Sequence, residues 1–230
     1  MKKIFNQYFV VLLLAGSLFS CKKDNYKNDG GKLDPHVNMT TYDYLASKPV
    51  FSQLVHAIDR AGLKDMVNGD ITFFATTNYG VDEYVMLKKR LKAIEVNDEN
   101  ITYTLDSIPV KLLQDSMKLY MFQGKINRED MTYQGKLYNS MVGAIPNVQF
   151  LINLRKTFAY SDYVDHVDVV TLTKVIGSRD DQELDPDQIP QDQKDLGFDC
   201  QTSGIITTTG ILHVLNGYHR LFFNTQPMPQ

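Results

Sequence analysis

Tryptophan is absent from this 230-residue chain, and cysteine occurs at only two positions. Two cysteines cannot build a disulfide framework or a four-cysteine zinc site. A clustered excess of basic residues is missing too, because 24 Lys and Arg residues stand against 27 Asp and Glu residues. This balance argues against nucleic-acid binding. We predict no bound metal, no cofactor and no nucleic-acid partner.

Motifs of known catalytic chemistry are also lacking. The chain has no Gly-x-Ser-x-Gly elbow and no glycine loop for phosphate, and its five histidines show no helical i, i+4 pair. The run Asp165-His166-Val167-Asp168 could orient a histidine base, but no nucleophile accompanies it. We therefore predict that the protein is not an enzyme.

The N-terminal segment is apolar and uncharged. After two lysines, the chain runs from Ile4 to Phe19 without a charged residue, and small residues precede Cys21. The densest apolar part is too short for a membrane span, which needs about 20 residues. This order is typical of a secretory signal, so we predict a signal peptide over residues 1–20.

Leu18-Phe19-Ser20-Cys21 resembles the lipobox of bacterial lipoproteins. The resemblance implies that the Cys21 sulfur takes a diacylglyceryl group, that cleavage before Cys21 follows, and that the new amine is acylated, with palmitate among the chains. Each buried methylene adds about 0.8 kcal/mol, so two or three chains hold a protein firmly on a bilayer. The alternative is an ordinary signal peptide with an incidental cysteine.

Lys22-Lys23-Asp24 follows the predicted acylation site. This cluster partly resembles the surface-export signal of Bacteroidota lipoproteins. It favours a lipid-anchored protein of the cell outer membrane, exposed on the outer face.

The remaining chain reads as a tether followed by one domain. Residues 21–38 are polar, contain Gly30-Gly31 and lack apolar periodicity, which predicts a flexible tether after the acylated cysteine. The domain is predicted over residues 39–224, with a tail at 225–230. Helical apolar spacing comes first and short strands follow, which favours a single α+β domain with an antiparallel sheet.

Local signals place the elements of this domain. Thr77 and Asn78 are expected to cap the second helix with their side-chain oxygens, and Gly124 to end the third. Helices are predicted over about 48–60, 78–94 and 109–122, and strands over about 71–76, 131–133, 136–141, 147–154, 157–160, 167–176, 210–215 and 218–223.

An acidic insertion, predicted over about 178–204, interrupts the strand-rich part. Its sequence from 178 to 199, SRDDQELDPDQIPQDQKDLGFD, has many acids, two prolines and few apolar residues. The composition predicts a solvated loop. A calcium site is the alternative, since clustered carboxylates supply hard oxygen ligands, although the spacing does not match an EF-hand loop.

Three segments, in this order, resemble the boxes of a fasciclin domain. Residues 69–78, GDITFFATTN, resemble the first box, in which a strand leads into a Phe-Ala-Pro-Thr-Asn turn that opens a helix. Thr76 replaces the usual proline, whereas Thr77 and Asn78 match the motif.

The other two segments depart further from the family pattern. Residues 119–126, LYMFQGKI, resemble the central motif, with Tyr120 in place of the usual histidine and Gly124 kept. Residues 210–218, GILHVLNGY, resemble the second box; Gly210 and His213 match, and asparagine replaces the usual aspartate.

The resemblance covers about residues 39–224 and indicates a fasciclin-domain lipoprotein of the Bacteroidota type. It implies a wedge-shaped β-sandwich of about seven strands flanked by several helices. It also implies non-catalytic adhesion or ligand binding at the cell surface, with a protein or glycan as partner. Such lipoproteins accompany TonB-dependent glycan-import complexes, so a role as an accessory in glycan utilisation is expected. The alternative is a structural subunit packed permanently against an outer-membrane complex.

The motif residues are expected to be mainly structural. His213 lies in an apolar strand and should satisfy buried backbone groups, and Tyr120 should lie in the core. Four tyrosines in predicted turn or edge segments are candidate ligand contacts, because their rings could stack on sugars: Tyr133, Tyr138, Tyr160 and Tyr163. The alternative is that these rings close the core, and the absence of tryptophan counts mildly against carbohydrate.

Overall fold

A computed structural model describes residues 34–142 and 148–229. The predicted signal peptide, Cys21 and most of the predicted tether lie outside the described residues. The compact unit begins at Pro35, before the predicted domain start at residue 39. Its first residues pair with the sheet, because Ile206 N–H donates to Pro35 O and Val37 N–H donates to Ile206 O, each over 2.9 Å. No helix of the described segments is long and apolar enough to cross a membrane.

The helices occupy the first half of this unit. In the longer of the early helices, buried Leu54, Ala57 and Ile58 recur at helical spacing, and Gly62 ends the helix in the left-handed conformation, with φ of 64°. The helices are α1 (Thr41–Ala46), α2 (Ser52–Ala61), α3 (Lys64–Val67), α4 (Asn78–Val96) and α5 (Val110–Met117).

Seven strands form one mixed sheet in the order β2-β1-β7-β6-β5-β4-β3. Strands β1 and β7 are parallel, and every other neighbouring pair is antiparallel. The strands are β1 (Ile71–Ala75), β2 (Met121–Gln123), β3 (Lys136–Asn139), β4 (Gln149–Thr157), β5 (Val167–Lys174), β6 (Leu196–Ile206) and β7 (Ile211–Leu215).

Strand β6 joins the two halves of the sheet. Its first residues pair with β5 and its later residues with β7, and the register shifts at Cys200, Thr202 and Ile205. Such irregularities bend a strand and increase its twist. The long strand therefore folds one half of the sheet over the other.

The two halves face each other across an aromatic core. Phe122 of β2 meets Phe150 of β4 edge-on, with 5.5 Å between ring centroids. At the two ends of the strand order, Met141 N–H donates to Met121 O over 2.8 Å. The result is a nearly closed sandwich of seven strands with helices outside it, which confirms the predicted α+β class.

Several predicted boundaries were wrong. The predicted third helix ends at Met117, and a 3-10 turn at Lys118–Tyr120 leads into β2, so Gly124 follows a strand instead of ending a helix. Strand β6 occupies the last part of the predicted insertion 178–204. Two segments that were predicted as strands, 131–133 and 157–160, form turns or loops, apart from Thr157 at the end of β4. The third, 218–223, forms a turn followed by a 3-10 helix at Leu221–Phe223.

Helix α4 lies close to the segment after β7 because Gly80 has no side chain. A β-carbon at Gly80 would lie 2.3 Å from His219 O and 2.4 Å from Thr76 Oγ1. Overpacking of this kind costs about 1–3 kcal/mol. We expect Gly80→Ala to lower the free energy of unfolding by that amount, as measured by urea denaturation of the full-length protein.

The matched control for this substitution is Gly217→Ala. A β-carbon at Gly217 would meet no atom within 4 Å, so we expect a change of less than about 1 kcal/mol. Equal effects of the two substitutions would contradict the close approach of α4.

Candidate functional site

A polar groove lies on the outer face of β4, β5 and β6. The ladder places Asn153 opposite Thr171, and Thr171 opposite Asp199. Because side chains alternate along a strand, these residues share one face, while Ile152 and Leu172 point into the core. The groove has a volume of about 560 Å³.

The groove floor is organised by one carboxylate. Asp199 Oδ1 accepts from Arg155 Nε over 3.1 Å and from Thr171 Oγ1 over 2.9 Å. Arg155 Nη2 also donates to Asp199 Oδ2, and these hydrogen bonds raise the pKa of Arg155. Asn153 donates to the carbonyl of Tyr133 over 3.2 Å, whereas its buried Oδ1 has no hydrogen-bond partner among the described residues. The floor is therefore held together by hydrogen bonds among its own side chains.

Tyr218 stands at the rim of this groove with 90% of its surface exposed. Its N–H donates to Asn216 Oδ1 over 3.1 Å, so a tight turn presents the ring to solvent. Sequence reasoning placed Tyr218 in a closing strand and missed it as a contact. The Asn216-Gly217 dipeptide was the available signal, because Asn-Gly marks turns.

A second cavity, of about 370 Å³, adjoins the groove. Phe198 and Tyr218 line both spaces. The other walls come from α4, which contributes Glu83, and from the segment after β7, which contributes His219 and Arg220.

His219 is fully buried in an aromatic cage beside this cavity. Its ring centroid lies 4.5 Å from that of Phe198 and 4.7 Å from that of Phe223. The Tyr120 hydroxyl accepts from Phe222 N–H over 2.6 Å and lies 2.7 Å from His219 Nε2. We assign the hydroxyl as the donor to Nε2, which places the imidazole proton on Nδ1.

Burial sets the charge state of this pair. It lowers the pKa of His219 to about 3 and raises the pKa of Tyr120. At neutral pH both side chains are therefore uncharged, and the His219 Nδ1–H is a donor without a partner in the described part of the chain.

His213 has a different environment in the middle of β7. Gly204 N–H donates to its Nδ1 over 3.2 Å, and its Nε2 lies 3.3 Å from Ile126 O. The ring stacks on Phe74 at 4.8 Å between centroids. Burial lowers the pKa of His213 to about 4, so this residue is neutral and joins backbone groups inside the sandwich.

The expected side-chain caps of α4 are not formed. Thr77 is the N-cap residue but makes no side-chain cap hydrogen bond. Asn78 instead accepts from Gln53 N–H over 2.9 Å and donates to Pro49 O over 2.9 Å. It therefore stabilises the start of the neighbouring helix α2, because tertiary packing brings that helix terminus within reach.

The two motif glycines have backbone roles. Gly124 follows β2 with φ of 79°, a conformation that favours glycine. A β-carbon at Gly210 would lie 2.4 Å from Ile71 O, so Gly210 permits β7 to approach β1. Neither residue lines the groove or the adjoining cavity.

The four candidate tyrosines do not meet in one site, and none lines the groove. Tyr133 donates from its hydroxyl to Asp168 Oδ1 over 2.9 Å, and half-buried Tyr138 packs edge-on against Phe122. Tyr160 and Tyr163 lie in the β4–β5 connection and are exposed. The four tyrosines belong to three separate segments, whose positions in space could not be predicted from the sequence.

The side chains of the acidic run around His166 contact one another at the surface. His166 Nδ1 lies 2.8 Å from Asp165 Oδ2, and Nε2 lies 3.5 Å from Asp168 Oδ1. Both ring nitrogens thus face carboxylates.

Carboxylates of the acidic insertion hold the insertion together. Asp195 accepts from Ile176 N–H over 2.8 Å and from Asp180 N–H over 3.1 Å, and Asp180 accepts from Asp195 N–H over 2.9 Å. The described residues contain no group of three or more His, Cys, Asp or Glu side chains arranged to hold a metal ion.

No protein-family model matches the chain, and no curated protein matches it. A solved structure of a FAS1 domain pair from the insect cell adhesion molecule fasciclin I is similar to it, with 11% identity and a TM-score of 0.46. The match covers 77% of this chain and 49% of that chain, so this chain spans about half the length of the structure it matches.

Proposed function

We propose that this chain is a non-catalytic glycan-binding module of fasciclin-like fold, anchored in the cell outer membrane through a lipid on Cys21 and exposed at the cell surface. The polar groove over β4, β5 and β6, with exposed Tyr218 at its rim, is the observation that carries this proposal. Its volume of about 560 Å³ falls within the size range of ligand pockets.

The chemistry of the groove suits a polyhydroxylated ligand. Sugar hydroxyls can donate to the carboxylates of Asp180 and Asp195, which line the groove. The Tyr218 ring supplies an apolar face on which a sugar ring can stack. This combination gives orientation through hydrogen bonds and contact area through one aromatic side chain.

The lipobox resemblance supports a lipid anchor at Cys21. A tether of polar residues after Cys21 would hold the module away from the bilayer. We propose that the module serves a TonB-dependent glycan-import complex by retaining glycan at the cell surface.

Tyr218→Ala should weaken glycan binding about tenfold, the equivalent of about 1.4 kcal/mol, because the stacking surface is lost. The measurement is a glycan-array screen of the full-length protein in detergent, followed by calorimetric titration of the bound glycan. Tyr163→Ala is the matched control, since Tyr163 is 87% exposed and lies outside the groove. Equal losses with both variants, or no glycan binding at all, would overturn the proposal.

A permanent structural subunit is the second candidate function. An apolar cluster on the β4–β5 connection favours it, because Phe158 and Tyr160 expose 60% and 59% of their surfaces beside Tyr163. A pull-down from native outer membranes, with mass spectrometry, separates the candidates. A stoichiometric partner released by Phe158→Ser would support the subunit, and recovery of the lipoprotein alone would support the free-standing binding module.

A further inference from the structure

Two buried side-chain nitrogens lie on consecutive residues that line the cavity beside the groove. His219 Nδ1 and Arg220 Nε are both buried, and neither has a hydrogen-bond partner within residues 34–142 and 148–229. Both residues line the cavity of about 370 Å³. A buried donor without an acceptor destabilises a protein, so such a pair indicates a site that an acceptor completes.

The other guanidinium nitrogens of Arg220 are already engaged. Nη1 donates to Gln226 O over 2.5 Å, and Nη2 lies 3.9 Å from Glu83 Oε2. These contacts hold the guanidinium in place at the cavity wall. The Nε–H is buried without a hydrogen-bond partner in the described residues, next to a pairing with Glu83 that is loose at this distance.

The nature of the donors selects the ligand group. Arginine N–H groups form their strongest hydrogen bonds with carboxylates, and a neutral His219 adds a donor without adding charge. The Glu83 carboxylate, at the same wall, disfavours a doubly charged group such as phosphate. A singly charged carboxylate therefore fits the cavity best.

The adjoining groove restricts which sugar of a bound glycan can carry that carboxylate. Four aspartates line the groove and would repel further negative charge: Asp180, Asp181, Asp195 and Asp199. Tyr218 and Phe198 border both spaces. A single glycan can therefore place one sugar in the cavity and the next sugar in the groove. The acidic sugar must then be the terminal sugar of the glycan, and the sugars next to it must be neutral.

We propose that the cavity of His219 and Arg220 binds the carboxylate of a terminal acidic sugar, a sialate or a uronate, while the neutral sugars that follow it stack on Tyr218 and lie in the groove. This inference rests on the proposed glycan-binding function and names the ligand class of that site.

The test uses the full-length protein in detergent and two sets of defined probes. The first set is sialyllactose, its methyl ester and lactose; the second is a glucuronate-terminated disaccharide and its methyl ester. Calorimetric titration should show that at least one acid binds tenfold or more tightly than its own ester, the equivalent of about 1.4 kcal/mol. The ester keeps the shape and removes the charge, so this comparison needs no protein variant.

Variants then assign the preference to the cavity. Arg220→Met should bring acid and ester to equal affinity, whereas Arg90→Met should retain the preference, because Arg90 is an exposed residue of α4 that carries the same charge. Arg220→Lys keeps the charge but lacks the Nε donor, and it should lose most of the preference. Circular dichroism checks that each variant is folded. If a variant is not folded, the comparison of acid and ester in the unaltered protein tests the proposal.

The outcomes separate this inference from the proposed function. Equal affinity for acid and ester in the unaltered protein overturns the acidic subsite. Neutral glycans that still bind through Tyr218 would then leave the proposed function standing. Binding of no glycan in the array overturns both.

Discussion

Replacing Cys21 with serine should remove the protein from the outer membrane. In the proposed lipoprotein, the Cys21 thiol is the acceptor of the diacylglyceryl group, and cleavage before residue 21 follows acylation. A serine hydroxyl is a much weaker nucleophile than a thiol, so the variant should keep residues 1–20 and carry no acyl chain. Without acyl chains the protein loses about 0.8 kcal/mol of membrane affinity for each methylene that is no longer buried.

Intact-mass spectrometry and membrane fractionation measure this effect together. The unaltered protein should begin at Cys21 and carry the added mass of its acyl chains in the outer-membrane fraction. Cys200→Ser is the matched control, because Cys200 is buried in β6 and burial raises the pKa of its thiol. An unaltered protein without acyl mass, or a Cys21→Ser variant that still reaches the outer membrane, would refute the anchor.

Acid should destabilise the protein already at pH values well above the pKa values of exposed carboxylates. Burial lowers the pKa of His213 to about 4 and of His219 to about 3, from an ordinary value of 6.5. Both residues are neutral in the folded protein, so the unfolded chain takes up protons first as the pH falls. Their contribution to the free energy of unfolding is complete above about pH 6.5 and is lost progressively towards pH 4.

The magnitude follows from proton linkage. Each histidine can change the free energy of unfolding by up to about 1.4 kcal/mol per pH unit within this window. For the two together we expect a loss of about 3–4 kcal/mol between pH 7 and pH 5. Urea denaturation of the full-length protein at these two pH values measures it.

A pair of histidine variants identifies the source of this loss. His213→Gln removes one titrating group and should reduce the pH-dependent loss by about half. His56→Gln is the control, since the His56 side chain is half exposed on α2 and pairs with Asp106 at the surface. An unchanged pH dependence in His213→Gln would show that buried histidine titration is not the cause.

The sequence predicted some elements well because their signals are local. Apolar spacing indicated α2 and α4, and the β-branched and aromatic run from Ile71 predicted β1. The prediction of a helix over Leu119 to Phe122 was wrong, because a short apolar run fits a helix or a strand equally well. Pairing of Phe122 with Thr72 in β1 decides for the strand, and that pairing is invisible in the local pattern.

Strand β6 was missed for a related reason. Its residues follow an acidic loop, include Gly197 and Gly204, and show no regular alternation. The first part of the strand pairs with β5 and the later part with β7, so the two parts pack in different surroundings. Local composition therefore indicated a loop where the tertiary structure builds the central strand of the sandwich.

The order of helices before strands, the apolar core positions and the α+β class follow from periodicity and composition, which are properties of neighbouring residues. The groove and its cavity do not. Asn153, Thr171, Asp199 and Tyr218 come from four separate segments, and strand register together with one turn brings them side by side. Burial then leaves His219 neutral, with an Nδ1 that has no hydrogen-bond partner among the described residues. Only contacts between distant segments create these properties, because register, burial and hydrogen-bond pairing arise when the chain packs.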